Sequence, residues 1–134
     1  MPPPAVRAAL EAVLGQGIGH VRVIERSWFA WLHWGAVATT RRGRIYLRGS
    51  AESFFANPEL MLHEYCHVLR QWECGSLTAW RYVAECCRRG YRKNRYEVEA
   101  RAFARTHLAR LARQLAAAER ASTGSVAAAR SPDT

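Results

Sequence analysis

The chain has little lysine, no long apolar run and no paired cysteine motif, and each absence narrows what it can be. Among the twenty basic residues only Lys93 is a lysine, and the other nineteen are arginines. No apolar run approaches the roughly 20 residues of a membrane-spanning helix. The start, Met1-Pro2-Pro3-Pro4, lacks the charged-then-apolar order of a signal peptide. We therefore expect a cytoplasmic protein with no membrane span, whose 134 residues form one modest core.

The four cysteines do not predict a disulfide framework. They are Cys66, Cys74, Cys86 and Cys87, and none of them forms a C-x-x-C pair. Without that spacing or a secretory context, neither disulfides nor a second zinc site is expected. Cys66 and Cys87 fall on apolar stripes of predicted helices, so both are expected in the core.

The net charge of +9 leaves a polyanionic partner open. Basic residues cluster at positions 41–44 and 88–95. Arginine binds phosphate bidentately, so nucleic acid is one partner that this charge would suit. No recognisable nucleic-acid-binding motif accompanies the clusters, and arginine and alanine are abundant together, which is also typical of a genomic composition bias.

The sequence His63-Glu64-Tyr65-Cys66-His67 is the strongest chemical signal in the chain. In a helix, H-E-x-x-H places two imidazoles one turn apart on one face, where both can bind one zinc ion. The glutamate between them can then act as general base on water. The alternative is a surface helix that carries two ordinary histidines.

The surrounding sequence favours a helix for this motif. Asn57 and Pro58 are typical of an N-cap and first helical position, and Gly75 is typical of an end. One broad arc is apolar and predicts the core face: Met61, Leu62, Tyr65, Cys66, Val68, Leu69 and Trp72. The two histidines, Glu64 and Gln71 fall on the other side.

A third metal ligand is expected downstream, where Glu85, Glu97 and Glu99 are candidates. Glu97 shares a helical stripe with Ala100, Ala104, Leu108, Leu111 and Leu115. A carboxylate on a buried stripe is costly unless it is paired or binds metal. Glu97 is therefore the predicted ligand, and Glu99 is expected either to be solvated or to orient a ligand from behind. The alternative is that Glu97 only stabilises the helix dipole.

The first half of the chain predicts a helix and a small sheet. The helix covers about residues 4–15, and a strand follows at 21–24. The aromatic segment with Trp28, Phe29, Trp31 and Trp34 has no assigned conformation. Residues 36–40 and 44–48 flank a hairpin turn, and 50–56 are expected to be a loop. The strand at 44–48 is either a core strand or an edge that holds a peptide by strand addition.

Two further helices are predicted after the motif. The first is capped by Ser76 and ends at Gly90, with a core face of Leu77, Trp80, Val83, Ala84 and Cys87. The second covers about residues 94–121. Residues 122–134 are small and polar and are expected to be a disordered tail, which makes residues 1–121 the domain.

The spacing of His63-Glu64-x-x-His67 and Glu97-Val98-Glu99-Ala100 resembles that of gluzincin metallopeptidases, especially minimal single-domain bacterial ones. Residues 67–72 and 94–101 are similar to a short domain found in contractile-injection and related loci, and the resemblance covers about residues 36–105. It implies His63, His67 and Glu97 as zinc ligands, Glu64 as base, and an α+β, zincin-like fold. In that fold a small antiparallel sheet or hairpin packs on the motif helix with two further helices.

The chain departs from this family at one position. Membrane-associated gluzincins often have Glu-x-x-Ala-Asp, and here Arg101 stands at the Asp position. The carboxylate that would orient a ligand is thus missing, and either Glu85 or Glu99 replaces it or nothing does.

The predicted function is hydrolysis of a peptide or protein substrate by a zinc metallopeptidase. Tyr82, Tyr91 or an arginine could donate a hydrogen bond to the oxyanion, although packing is an alternative role for either tyrosine. Two other functions remain open. One is a regulatory protease that cleaves a transcriptional repressor, from whose pattern the chain departs at Arg105-Thr106-His107. The other is a non-catalytic zinc-binding interaction module.

Overall fold

The computed structural model describes residues 1–27 and 38–128, which form an α+β fold that is mostly helical, as the sequence predicts. In chain order the elements are α1 (Pro4–Leu14), β1 (Arg22–Ile24), β2 (Ala38–Arg41), β3 (Arg44–Leu47), α2 (Ala51–Phe55), α3 (Pro58–Cys66), a π-helix (His67–Trp72), α4 (Ala79–Arg89) and α5 (Arg95–Ala128). No helix in these two segments is long and apolar enough to cross a membrane.

The three strands form a mixed sheet in the order β1-β3-β2. β2 and β3 are the predicted hairpin, and Gly43 in their turn has a φ of 68°, which favours glycine. The prediction was a small antiparallel sheet or hairpin. The hairpin is present, but the sheet as a whole is mixed, because β1 pairs parallel to β3. Alternating side chains indicate a strand but not the direction of its neighbour.

The position of β3 decides between the two interpretations of residues 44–48. β3 is central, with β1 on one side and β2 on the other, so both of its edges are already paired. Strand addition to β3 is therefore excluded, and the core-strand interpretation is confirmed. Ile45 and Leu47 point into the core and are fully buried.

The core lies where α1 and α3 pack against α5 and the sheet. Leu10 and Val13 of α1 are buried, and Gly15 ends this helix with a φ of 73°. In α3 and the π-helix, six residues of the predicted apolar arc are buried: Met61, Leu62, Tyr65, Cys66, Val68 and Leu69. Burying side chains of this size contributes about 1.5–3 kcal/mol each before entropy is counted.

Residues 51–55 form a helix, α2, where the sequence predicted a loop. Ser50 caps it by accepting a hydrogen bond from the backbone N–H of Ser53. Phe54 is buried, and its ring packs against that of Tyr65 with 6.4 Å between centroids. A helix of five residues is too short to show helical periodicity. The only sequence signals for it were Ser50, a typical N-cap residue, and the apolar Phe54.

The orientation of α4 differs from the prediction. Thr78, not Ser76, caps this helix, since its side chain accepts a hydrogen bond from the backbone N–H of Arg81. The Ser76 hydroxyl instead donates to the Gln71 carbonyl. Trp80, Val83 and Cys87, which were predicted to face the core, are exposed. The inner face instead carries polar groups that bond to residues at the start of α5.

α5 continues to Ala128, seven residues past its predicted end at residue 121. Residues 129–134 of the predicted tail lie outside the described residues, and so does the aromatic segment at 28–34.

Candidate metal centre

Two successive helical segments place the H-E-x-x-H motif. The side chain of Asn57 accepts a hydrogen bond from the backbone N–H of Leu60, and Pro58 begins α3, as predicted. At His67 the chain changes to a π-helix, in which the N–H of Glu73 bonds to the carbonyl of Val68. Such wide turns inside helices are frequent at functional sites.

Three side chains present ligand atoms to one point: His63, His67 and Glu97. Nε2 of His63 lies 3.0 Å from Oε2 of Glu97, and Nε2 of His67 lies 3.4 Å from Oε1. The two Nε2 atoms are 3.1 Å apart. Ligands of a tetrahedral zinc ion, each at roughly 2.0–2.1 Å, are separated by about 3.3–3.4 Å. The side chains therefore fit a small divalent ion with little rearrangement.

The start of α5 fixes the position of Glu97. The Asn94 side chain accepts from the backbone N–H of Tyr96 and donates to the carbonyl of Tyr82 and the sulfur of Cys86, which joins α4 to α5. Glu97 is 4% exposed, whereas Glu99 faces solvent, as the stripe predicts. Of the three candidate acids, the structure brings only Glu97 to the histidines.

Gln71 holds His67 and was not identified as a site residue from the sequence. It is fully buried, and its Oε1 lies 2.6 Å from Nδ1 of His67. Its Nε2 donates to the carbonyl of Tyr96, next to Glu97. An amide oxygen only accepts, so Nδ1 of His67 carries the proton that faces Gln71, and Nε2 is left facing Glu97 and His63. The sequence signal that could have identified Gln71 was its position four residues after His67, which places both side chains on the same helix face.

The acids proposed to replace the missing Asp do not contact the histidines. Glu85 accepts from the backbone N–H of Arg95 and pairs with Arg88 and Arg89. The Arg101 guanidinium donates to the carbonyl of Arg92. The side chain that contacts the outer nitrogen of His67 is instead that of Gln71, a neutral group.

The two predicted tyrosines both lie beside Glu97. Tyr82 donates a hydrogen bond of 2.9 Å to Oε1 of Glu97. Tyr91 is half exposed, and burial raises the pKa of its hydroxyl, as do the nearby carboxylates of Glu97 and Glu64. Both tyrosines are therefore protonated donors at neutral pH.

Burial and pairing set the charges at this site. Burial would raise the pKa of Glu97, but hydrogen bonds to His63 and His67 outweigh it and hold that pKa well below its usual range. Burial would lower the pKa of His67, and its contacts with Glu97 and Glu64 raise it instead. For Glu64 burial dominates and raises the pKa of the carboxyl. Glu97 is thus a carboxylate at neutral pH, the form that binds metal.

The site defines a class: a small α+β domain with a His-His-Glu group suited to one metal ion. Residues 2–75 match the family model of the eCIS core domain, where eCIS denotes an extracellular contractile injection system. Since this match covers more than half of the 134 residues, the chain belongs to the eCIS core domain family. The match contains His63, Glu64 and His67 and ends before Glu97. No curated protein and no solved structure matches the chain.

Proposed function

We propose that this protein is a zinc metallopeptidase of the gluzincin type. The observation that carries the proposal is the convergence of His63, His67 and Glu97 beside the buried carboxylate of Glu64. Two neutral imidazoles and one carboxylate are the donor set of catalytic zinc sites of the His₂Glu type, which leave one position open. Zinc, when bound, would polarise water and the scissile carbonyl.

Glu64 is the proposed base. It follows the ligand His63 directly, and it is 5% exposed. Burial raises the pKa of its carboxyl, which brings it closer to the range in which a group both accepts and returns a proton. In this role Glu64 takes a proton from the attacking water and delivers it to the leaving amine.

The two tyrosines receive different proposed roles. The Tyr82 hydroxyl is already bonded to Oε1 of Glu97, so Tyr82 orients that ligand. Tyr91 is half exposed and lies near both Glu64 and Glu97, so its hydroxyl is the better placed donor for a developing oxyanion.

Cleavage of an unfolded protein tests the proposal. Zinc-loaded protein is incubated with reduced casein, and fragments are measured by mass spectrometry for wild type, Glu64→Gln and the exposed control Glu99→Gln. We expect activity in wild type and the control, and about 10²-fold or greater loss in Glu64→Gln, the scale of general-base catalysis. Equal cleavage by all three proteins would contradict the assignment of Glu64.

A second candidate function is a zinc-binding interaction module without turnover. The observation that favours it is the membership of the eCIS core domain family, whose name denotes an injection system and not an enzyme. The region that matches this family, residues 2–75, contains His63 and His67 but not Glu97. In this function zinc would join α3 to α5 and stabilise a surface for protein partners. Zinc bound at one ion per chain together with absence of cleavage in wild type would support this candidate over the first.

A further inference from the structure

The outer surface of α4 is apolar although this helix packs against the rest of the domain. Trp80 is 79% exposed and Val83 is 52% exposed, and Cys87 lies one turn further along the same stripe. The inner surface is polar: Tyr82 bonds to Glu97, and Glu85 accepts from the backbone of Arg95. The helix is thus held by hydrogen bonds and leaves its apolar stripe in solvent, where exposed tryptophan is unfavourable.

Basic side chains border this stripe. Arg81 and Arg88 lie beside it and are exposed, and Arg92 and Lys93 follow after the helix ends. One terminal nitrogen of Arg81 donates to the carbonyls of Gly75 and Ser76, and Arg88 lies 3.9 Å from Glu85. A guanidinium has five N–H donors, so both side chains keep donors for a partner. Between residues 76 and 95 the only acid is Glu85, which is buried and pairs with Arg88 and Arg89. We call Trp80, Val83 and Cys87, with Arg81 and Arg88, the α4 outer face.

We propose that the α4 outer face binds an acidic amphipathic helix of a protein partner. Trp80, Val83 and Cys87 occupy positions i, i+3 and i+7 and so form one ridge along the helix. Such a ridge packs against the apolar stripe of another helix. Acidic residues beside the partner's apolar stripe would pair with Arg81 and Arg88. This pairing would fix the orientation of the partner helix and disfavour partners that are basic. Trp80 provides the large apolar anchor typical of binding hot spots. This surface lies opposite Tyr82 on α4, so the proposal does not depend on metal binding or catalysis.

Two other occupants fit the α4 outer face less well. A second copy of the chain would place Arg81 and Arg88 against the same residues, and like charges facing each other oppose pairing. A nucleic acid would need positive charge along the centre of the contact, where Val83 and Cys87 offer neither charge nor a stacking surface.

The test measures binding of two synthetic peptides to the full chain by fluorescence anisotropy. Each is a fluorescein-labelled amphipathic helix of about 20 residues, roughly 30 Å long. One carries leucine and glutamate and the other leucine and lysine. The variants are Trp80→Ser/Val83→Ser and Arg81→Glu/Arg88→Glu. The controls on α5 are Val126→Ser, which changes a side chain that is 56% exposed, and Arg113→Glu/Arg120→Glu. Circular dichroism establishes that each variant is folded.

We expect the leucine-glutamate peptide to bind wild type and both controls. Each α4 variant should weaken that binding about tenfold or more, the effect of losing a hot-spot contact. Equal binding of the lysine peptide, or equal weakening in the α5 controls, would overturn the proposal in favour of unspecific attraction. Displacement of the peptide by a single-stranded DNA oligonucleotide or phosphatidylserine vesicles, but not by unlabelled peptide, would overturn it in favour of a polyanion surface. Dimers of wild type that Trp80→Ser/Val83→Ser abolishes would assign the face to self-association.

Discussion

At the scale of single residues, the cost of burying charge explains the arrangement around His67. Glu64, His67 and Glu97 are each at most 5% exposed, and an isolated charge at such depth is strongly unfavourable. Contacts within the cluster offset part of this cost, since the carboxylate of Glu97 faces both histidines. Replacing one member leaves its partners buried with fewer hydrogen bonds, so the cluster behaves as a unit.

Separate substitutions of Glu97 and Glu99, two nearby acids on α5, test which of them binds the metal ion. Glu97→Ala should weaken zinc binding by about 10²-fold or more, because two histidines then remain where three ligands are typical. Glu99→Ala is the matched control and should bind zinc as wild type does, since Glu99 is exposed. Competition with a chromophoric chelator measures both affinities. Loss of zinc in Glu99→Ala with retention in Glu97→Ala would contradict the placement seen here.

The motif residues were predictable because each lies on a helix whose periodicity places it on a face. His63, Glu64 and His67 follow from a five-residue motif, and Glu97 from its stripe with Ala100 and Ala104. Gln71 was placed on the correct face but not assigned a contact. Its partner depends on how the chain turns after Cys66, and a π-helix has no signal in the local sequence.

At the scale of elements, Gln71 of the π-helix connects His67 to the backbone of Tyr96, the residue before Glu97. Gln71→Leu keeps the size of the side chain and removes the acceptor for the N–H of His67. We expect zinc affinity to fall about 10–100-fold, the usual effect of losing such an orienting contact. Gln71→Glu keeps an acceptor and should retain more affinity than Gln71→Leu. Nitrogen NMR shifts of the His67 ring should show loss of the single tautomer only in Gln71→Leu.

Equal zinc affinity in wild type and Gln71→Leu would contradict an orienting role for Gln71. A loss of affinity without a change in the tautomer of His67 would indicate that Gln71 acts through packing alone.

The orientation of α4 can be measured through its cysteines. Cys66 is buried in α3, and burial raises the pKa of its thiol to about 12, so it should not react with a thiol reagent at pH 8. Cys87 is exposed on α4 and should react readily. Mass spectrometry after brief alkylation of the native protein distinguishes them, and alkylation in denaturant should label both. Slow reaction of Cys87 would mean that the α4 outer face is covered.

The direction in which α4 packs could not be predicted from its own sequence. Periodicity identifies an apolar face, and burial of that face is the usual outcome. Here the polar contacts of Tyr82, Glu85 and Cys86 with the start of α5 decide which side turns inward. These partners are 8 to 15 residues away in sequence, and their contacts exist only once both helices are in place. For the same reason the parallel pairing of β1 with β3 was not predicted.

At the scale of the whole molecule, the candidate metal site joins two parts of the fold that are distant in sequence. His63 and His67 are 34 and 30 residues from Glu97, and α3 packs along α5 in the core. A bound ion would therefore oppose separation of these helices. A ligand that binds only the folded state adds about 4 kcal/mol when its concentration is a thousand times its dissociation constant.

The purified protein should hold about one zinc ion per chain, and removing it should lower thermal stability. For a chain of this size about 1 kcal/mol corresponds to roughly 3–6 °C in Tm, so chelation should lower Tm by about 10 °C or more. Plasma emission spectrometry measures the zinc and scanning calorimetry the Tm, each with and without a chelator. His63→Ala/His67→Ala should contain no zinc and show no response to the chelator, while the surface control Glu99→Ala should respond as wild type does. Full zinc occupancy in His63→Ala/His67→Ala would place the ion elsewhere and contradict the site.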